Sequence, residues 1–193
     1  MAEDVQAFLF RAAAANQCVA DLRDEGRLED VSETTDPGHS ERGSLDHFGL
    51  DVRLKARQMG AVYELLYCLE NSVRELVRTT LVETVGADDW WEKGIPELIR
   101  KGAEKRKSDD ESARWHGPRG GSLLNYVDFA HLGETIINRW EDFEDLLGDR
   151  DWVENYFKEI NRTRRALAHT GELSQHDVEW MEMRVSQWLR VVG

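Results

Sequence analysis

Residues 51–85 read DVRLKARQMGAVYELLYCLENSVRELVRTTLVETV, and the spacing of their apolar residues decides the fold class. Val62, Leu65, Leu66, Leu69, Val73, Leu76 and Val77 recur at intervals of three and four, which aligns them along one face of a helix. Polar and charged residues fill the remaining positions, so one side suits a core and the other suits water. Gly86 follows directly as a residue able to close the helix.

Outward from this helix, the same period recurs. Trp90–Trp91, a turn at Gly94 and Pro96 in a first helical turn lead into ELIRKGAEKRK. Residues 102–121, GAEKRKSDDESARWHGPRGG, are charged and flanked by glycine, and are expected to form a loop. A helix is predicted from Ser122, its N-cap, to Leu147. Another runs from Asp151 through WVENYFKEINRTRRALAH and stops at Gly171. Ser174 caps a last helix, whose inner stripe is Val178, Met181, Val185, Trp188 and Leu189. On the other side, residues 3–23 are rich in alanine and read as a further helix. Residues 24–49 are polar, with Pro37 and four glycines, and read as a linker. No alternating strand pattern and no internal repeat is present. The expected architecture is an all-α bundle of about five main helices over residues 51–193, preceded over 1–50 by an N-terminal helix and an acidic flexible linker. Trp140, Trp180 and Trp188 fall on helical stripes and read as core, and Trp90–Trp91 as packing at a helix boundary.

Composition narrows the function. The 193 residues carry 38 acids against 25 bases, a net charge of −13, which argues against a nonspecific nucleic-acid coat built on surplus cations. The charge is uneven: residues 1–50 hold 11 acids and 4 bases, residues 151–193 hold 7 and 6. A local basic site near the C-terminus is therefore allowed. Two cysteines, Cys18 and Cys68, make neither a disulfide framework nor a four-ligand zinc site. The acidic MAEDVQAFLF start lacks the basic n-region of a secretory signal, and no apolar run is long enough to span a bilayer. A cytoplasmic protein with no membrane partner is expected.

The familiar catalytic motifs are missing. No histidine pair has the spacing of HExxH, and neither GxxxxGK[ST], GxGxxG nor GxSxG occurs. No metal and no cofactor is expected. What remains is NRTRRALAHTG, residues 161–171, with three arginines in four positions and His169 one turn later. Cleavage of an RNA phosphodiester by its own 2′-hydroxyl needs a group titrating near neutrality, the natural role of histidine. It also needs a fixed cation for the crowded phosphorane, which the arginine fork suits. A helix C-terminus favours imidazolium, so His169 is placed to act as acid as well as base. Arg165 and His169 share a helix face, whereas Arg164 and His169 lie about 140° apart on a regular helix. Joint action of the latter pair requires the helix to end near His169, or two chains to pool their groups. The spacing alone is weak, since Arg42–His47 repeats it within the linker. The same residues also read as a polar helix end with a solvated histidine.

Three blocks, YELLYCLENSVRELV (63–77), ADDWWEKGIPELI (87–99) and EINRTRRALAHTGELSQHDVEWM (159–181), resemble in order and content a HEPN domain. The branch is the one found at the C-terminus of a eukaryotic mRNA quality-control endonuclease and as stand-alone bacterial proteins. The resemblance covers about residues 55–192. It implies a helical bundle that forms a homodimer, with metal-independent endoribonuclease activity in toxin, stress or antiviral defence settings. It implies Arg164 and His169 as the catalytic pair, with Arg162, Arg165, Glu70, Asn71 and Arg74 as substrate-binding or supporting groups. RNA is the implied substrate, and an antitoxin or regulatory protein a further partner. Two positions depart from the family pattern. Arg165 stands where Asn, Asp or His is usual, and Gly171 stands where one HEPN group carries a tyrosine modified by an antitoxin. Other HEPN modules bind nucleotide, RNA or protein without cutting. A buried Arg164 paired with a carboxylate such as Glu70 is the mark of that structural role. A third reading has the acidic first quarter of the chain covering the basic site.

Overall fold

The computed structural model describes residues 45–113, 115 and 117–192. The chain divides into two compact units, residues 1–53 and 54–193. Only residues 45–53 of the first are described, and there Arg53 pairs with Asp46 at 2.5 Å. The expected N-terminal helix at 3–23 and nearly all of the linker at 24–49 lie outside the described residues.

Among the described residues every regular element is helical. Helix α1 spans Leu50–Val85, and a π-turn follows at Trp90–Gly94. Helix α2 is Glu97–Ser112, then a 3₁₀ turn at Leu123–Tyr126, α3 at Phe129–Asn138, α4 at Trp140–Leu147, α5 at Arg150–Ala168 and α6 at Gln175–Val192. The all-α architecture agrees with the sequence expectation.

The stripe on α1 behaves as its spacing requires. Val62, Leu66, Leu69, Val73, Val77 and Leu81 are buried, while Leu65 and Leu76 pack at the edge of the core. Gly86 ends the helix with φ +107°, a conformation that favours glycine. From α5 come Val153, Tyr156, Phe157 and Ile160, and from α6 Met181 and Trp188. Trp188 is fully buried and stacks on Tyr156 with centroids 5.7 Å apart. Its indole N–H donates to Ser72 Oγ at 3.1 Å, joining α6 to α1. The Tyr156 hydroxyl donates to the Arg184 carbonyl at 3.0 Å, so the buried polar atoms of both rings are satisfied. Gly133 lets α3 lie against α5, because a Cβ there would come 2.5 Å from the Phe157 ring.

Three local expectations are corrected. The loop expected over 102–121 starts only at Ala113, because α2 continues through the charged stretch to Ser112. The surface of α2 is laced with four-residue ion pairs, Glu97–Lys101 and Lys107–Glu111, and only Ile99 and Ala103 are buried. So thin an apolar face leaves little periodic signal. The helix expected over 122–147 is broken twice. Ser122 does cap, accepting from the Leu124 N–H at 3.2 Å, but it caps the 3₁₀ turn. Extended backbone at Val127 and Asp128 separates that turn from α3, and Arg139 separates α3 from α4. Leu189 is exposed rather than part of the inner stripe of α6. Trp140 and Trp180 pack partly buried against the core.

Candidate phosphate-binding groove

On the outward side of α1, Tyr63, Tyr67, Glu70, Asn71 and Arg74 follow at offsets of four, seven, eight and eleven residues. At 100° per residue these fall within an arc of about 100°, beside the buried stripe. They line an open groove of about 690 Å³. Its other lining comes from the end of α5 (Arg164, Leu167 and Ala168) and from the segment around the 3₁₀ turn (Arg119, Gly120, Asn125, Val127 and Asp128).

Glu70 is the hub. Arg74 donates to its Oε1, and Arg164 Nε donates to its Oε2 at 3.2 Å from 94 residues away in the chain. Arg74 also donates to Asn71 Oδ1 at 3.2 Å, and Asn71 Nδ2 donates to the Tyr67 carbonyl at 2.8 Å. One carboxylate thus serves two guanidinium groups, and this cluster keeps one uncompensated positive charge. Glu70 and Arg74 side chains are only 15% and 16% exposed, but Arg164 is 34% exposed. Both Arg164 Nη groups make no hydrogen bond among the described residues. They are the fork that a bidentate anion such as phosphate requires.

The opposite rim is charged but paired. Arg119 donates to Asp110 through Nε and Nη2 at 2.7 and 3.2 Å, and this hydrogen bonding raises its pKa above the ordinary arginine value. Asp128 lies 3.4 Å from Arg106. Gly120 has φ +135°, and a Cβ there would come 2.0 Å from Asn125 Nδ2. Only glycine lets that loop close against Asn125.

The helix carrying the arginines ends where its histidine begins. Asp149 caps α5 at its start, accepting from the Trp152 N–H at 3.0 Å. At the far end Ala168 is the last helical residue, and the His169 N–H donates to the Arg165 and Ala166 carbonyls at 3.2 and 3.3 Å. The left-handed residue is Thr170, φ 57°, a strained choice for a β-branched side chain. Gly171 serves by close approach instead. Its N–H donates to the Ala166 carbonyl at 2.9 Å, and a Cβ there would lie 2.8 Å from that oxygen. Ser174 and Asp177 then exchange hydrogen bonds at the start of α6.

Of the candidate residues, the structure brings Glu70, Asn71, Arg74 and Arg164 together in the groove. Arg162, Arg165 and His169 are exposed and do not line it. Arg42 of the duplicate spacing lies outside the described residues. Tyr63, Tyr67, Arg119, Asn125 and Asp128 are lining residues that the sequence analysis did not single out. The two tyrosines had a signal, being one turn apart on the side of α1 that also carries Glu70 and Arg74. The rim residues had none.

The family model for Swt1-like HEPN matches residues 64–193. The chain belongs to the Swt1-like HEPN family. That span contains α1 from Glu64 onward, the whole of α2–α6 and the entire Arg164-to-His169 segment, and it agrees with the resemblance carried by the three sequence blocks. HEPN domains are all-α, as is every described element here. Comparison with curated proteins and with solved structures returns no match. No helix among the described residues is long and apolar enough to cross a membrane. No three His, Cys, Asp or Glu side chains among them gather as a metal-ligand group.

Proposed function

We propose that this Swt1-like HEPN chain is a metal-independent endoribonuclease acting in a toxin, stress or phage-defence setting. The observation that carries the reading is that Arg74 of α1 and Arg164 of α5 share Glu70 on an open groove, Arg164 standing on the helix that leads directly into His169. Arg164 binds the scissile phosphate and stabilises the phosphorane, with Arg165 assisting. His169 takes the proton of the 2′-hydroxyl as that oxygen bonds to phosphorus. The bond to the 5′-oxygen breaks, and the imidazolium returns a proton to it. The products are a 2′,3′-cyclic phosphate and a 5′-hydroxyl. His169 stands just past the groove lining of its own chain, and a homodimer that pools two such ends across one cleft supplies the missing approach. Regulation by a partner protein or antitoxin belongs to the same reading.

The test is incubation of the full chain with total RNA and with tRNA in excess EDTA, alongside His169→Ala, followed by mapping of the ends. The expected result is cleavage that survives the chelator, leaves cyclic phosphate ends and falls about 10²–10⁴-fold in the variant. Equal cleavage by the two proteins overturns the assignment of His169.

A specific observation favours a second reading, a noncatalytic HEPN module that binds RNA, nucleotide or protein. Arg164 is already paired with a mostly buried carboxylate, Glu70, which is how an arginine serves a fold. No cleavage by either protein, with retained binding, selects this reading.

A further inference from the structure

The groove has a feature that phosphate binding does not use. Tyr63 and Tyr67 stand one helical turn apart in its lining, 62% and 61% exposed, whereas the chain's other two tyrosines, Tyr126 and Tyr156, are buried. The exposed rings form a loose pair, with centroids 6.5 Å apart and planes inclined at 36°. Neither hydroxyl makes a hydrogen bond among the described residues. Two large aromatic rings are thus held in water beside a cationic cluster.

Dimensions point to a strand rather than a lone anion. From Tyr63 to Arg74 is eleven residues of helix, about 16 Å. A phosphate fills only the arginine end of that length. Asn125, also in the lining, has an amide that makes no side-chain hydrogen bond among the described residues, and Gly120, with no Cβ, leaves room beside it. Cation, aromatic face and an unpaired amide are elements by which proteins hold unpaired nucleotides.

We propose that Tyr63 and Tyr67 form a nucleobase subsite next to the Arg74–Arg164 phosphate site, so that the groove takes unpaired RNA. A base stacks on a tyrosine ring while the Asn125 amide bonds to its edge. Bases within an A-form duplex are already stacked and offer no free face, so double-stranded RNA is excluded from the subsite. This inference rests on the groove being an RNA site, whether or not the RNA is cut.

The experiment measures fluorescence anisotropy of a short labelled 2′-O-methyl RNA, single-stranded and annealed to its complement, which blocks the attacking hydroxyl and so reports binding alone. The full chain is compared with the Tyr63→Leu/Tyr67→Leu and Tyr63→Phe/Tyr67→Phe double variants and with Arg164→Met. The expected result is preference for the single strand, about tenfold weaker single-strand binding with leucines, recovery with phenylalanines, and weaker binding to both probes with Arg164→Met. Single-strand affinity unchanged by the leucines, with Arg164→Met still impaired, overturns the subsite while leaving the RNA site standing. Binding of neither probe by the parent chain overturns the RNA site and the subsite with it. Leucines that leave RNA affinity intact but shift the sedimentation coefficient assign the tyrosines to contact with a second copy and also overturn the proposal. Matching thermal midpoints of the leucine and phenylalanine variants separate loss of stacking from loss of fold.

Discussion

Tyr156 and Arg164 lie eight residues apart on α5, and their surroundings differ in kind. Tyr156 is fully buried, packed on Trp188, Trp152 and Phe157, with one carbonyl for its hydroxyl. Burial raises the titration of that hydroxyl well above the usual tyrosine value. Arg164 is one-third exposed and shares Glu70 with Arg74. At the first end the Tyr156 hydroxyl and the Trp188 indole N–H each have a partner, and both rings are closed off from water. At the second a carboxylate is divided between two cations, and guanidinium nitrogens are left facing an open groove. A charge arrangement that neutralises itself completely has nothing to offer a ligand. This one keeps a positive charge in an acidic chain.

The largest effect separating the two ends is expected from Trp188→Ala. Loss of the fully buried indole leaves a large cavity and an unpaired Ser72 hydroxyl, and costs about 3–5 kcal/mol. Chemical denaturation measures it. A loss under about 1 kcal/mol would mean that the aromatic cluster collapses to fill the void and is less tightly built than its stacking implies.

Glu70→Gln tests the groove end, with two readouts of opposite sign. Removing the charge leaves Arg74 with a poorer partner at low exposure and costs about 1–2 kcal/mol, reduced from the buried-pair value because Arg164 is solvent-screened. It also frees both arginines. Affinity for single-stranded 2′-O-methyl RNA should therefore rise several-fold at low salt, with a steeper salt dependence. Stability lost without any gain in affinity would make Glu70–Arg164 a structural tie, like the contacts around Tyr156.

The same contrast explains what the sequence revealed. Helices α1, α5 and α6 were legible because each lays a continuous apolar stripe against the core, and a stripe leaves a period. Helix α2 was legible at its start, after Pro96, and its second half was hidden because no residue beyond Ala103 is buried to continue a period. The breaks at Val127–Asp128 and Arg139 follow from tertiary packing, with no proline or glycine to mark them. The Arg164-to-His169 segment stood out as local charge. Its link to Glu70 came from resemblance, since no spacing rule connects residues 94 apart. Arg119 and Asn125 reach the groove only through the folding back of the chain at Gly120. Thr170, rather than Gly171, takes the left-handed conformation, because the requirement at Gly171 is room beside the Ala166 carbonyl.

The smallest expected effect concerns the turn that leads from the Arg164 end of α5 into α6. Ser174 donates its hydroxyl to Asp177 at 2.6 Å and accepts from the Asp177 N–H at 3.2 Å, starting α6 directly after the His169 turn. Ser174→Ala should lower the thermal midpoint by roughly 2–4 °C at neutral pH. The hydroxyl, and after it the backbone N–H of Ser174, hold the Asp177 carboxyl below its ordinary value. A depressed carboxylate contributes its stability above the unfolded-state value of about 3.9 and loses it as pH falls through the lower folded-state value. The gap between parent and Ser174→Ala should therefore be constant from neutrality to about pH 5 and close below about pH 4. Midpoints measured by circular dichroism across that range read it directly. A gap that persists in acid would assign the cap to the Ser174 oxygen and the Asp177 N–H alone, with the carboxylate a bystander.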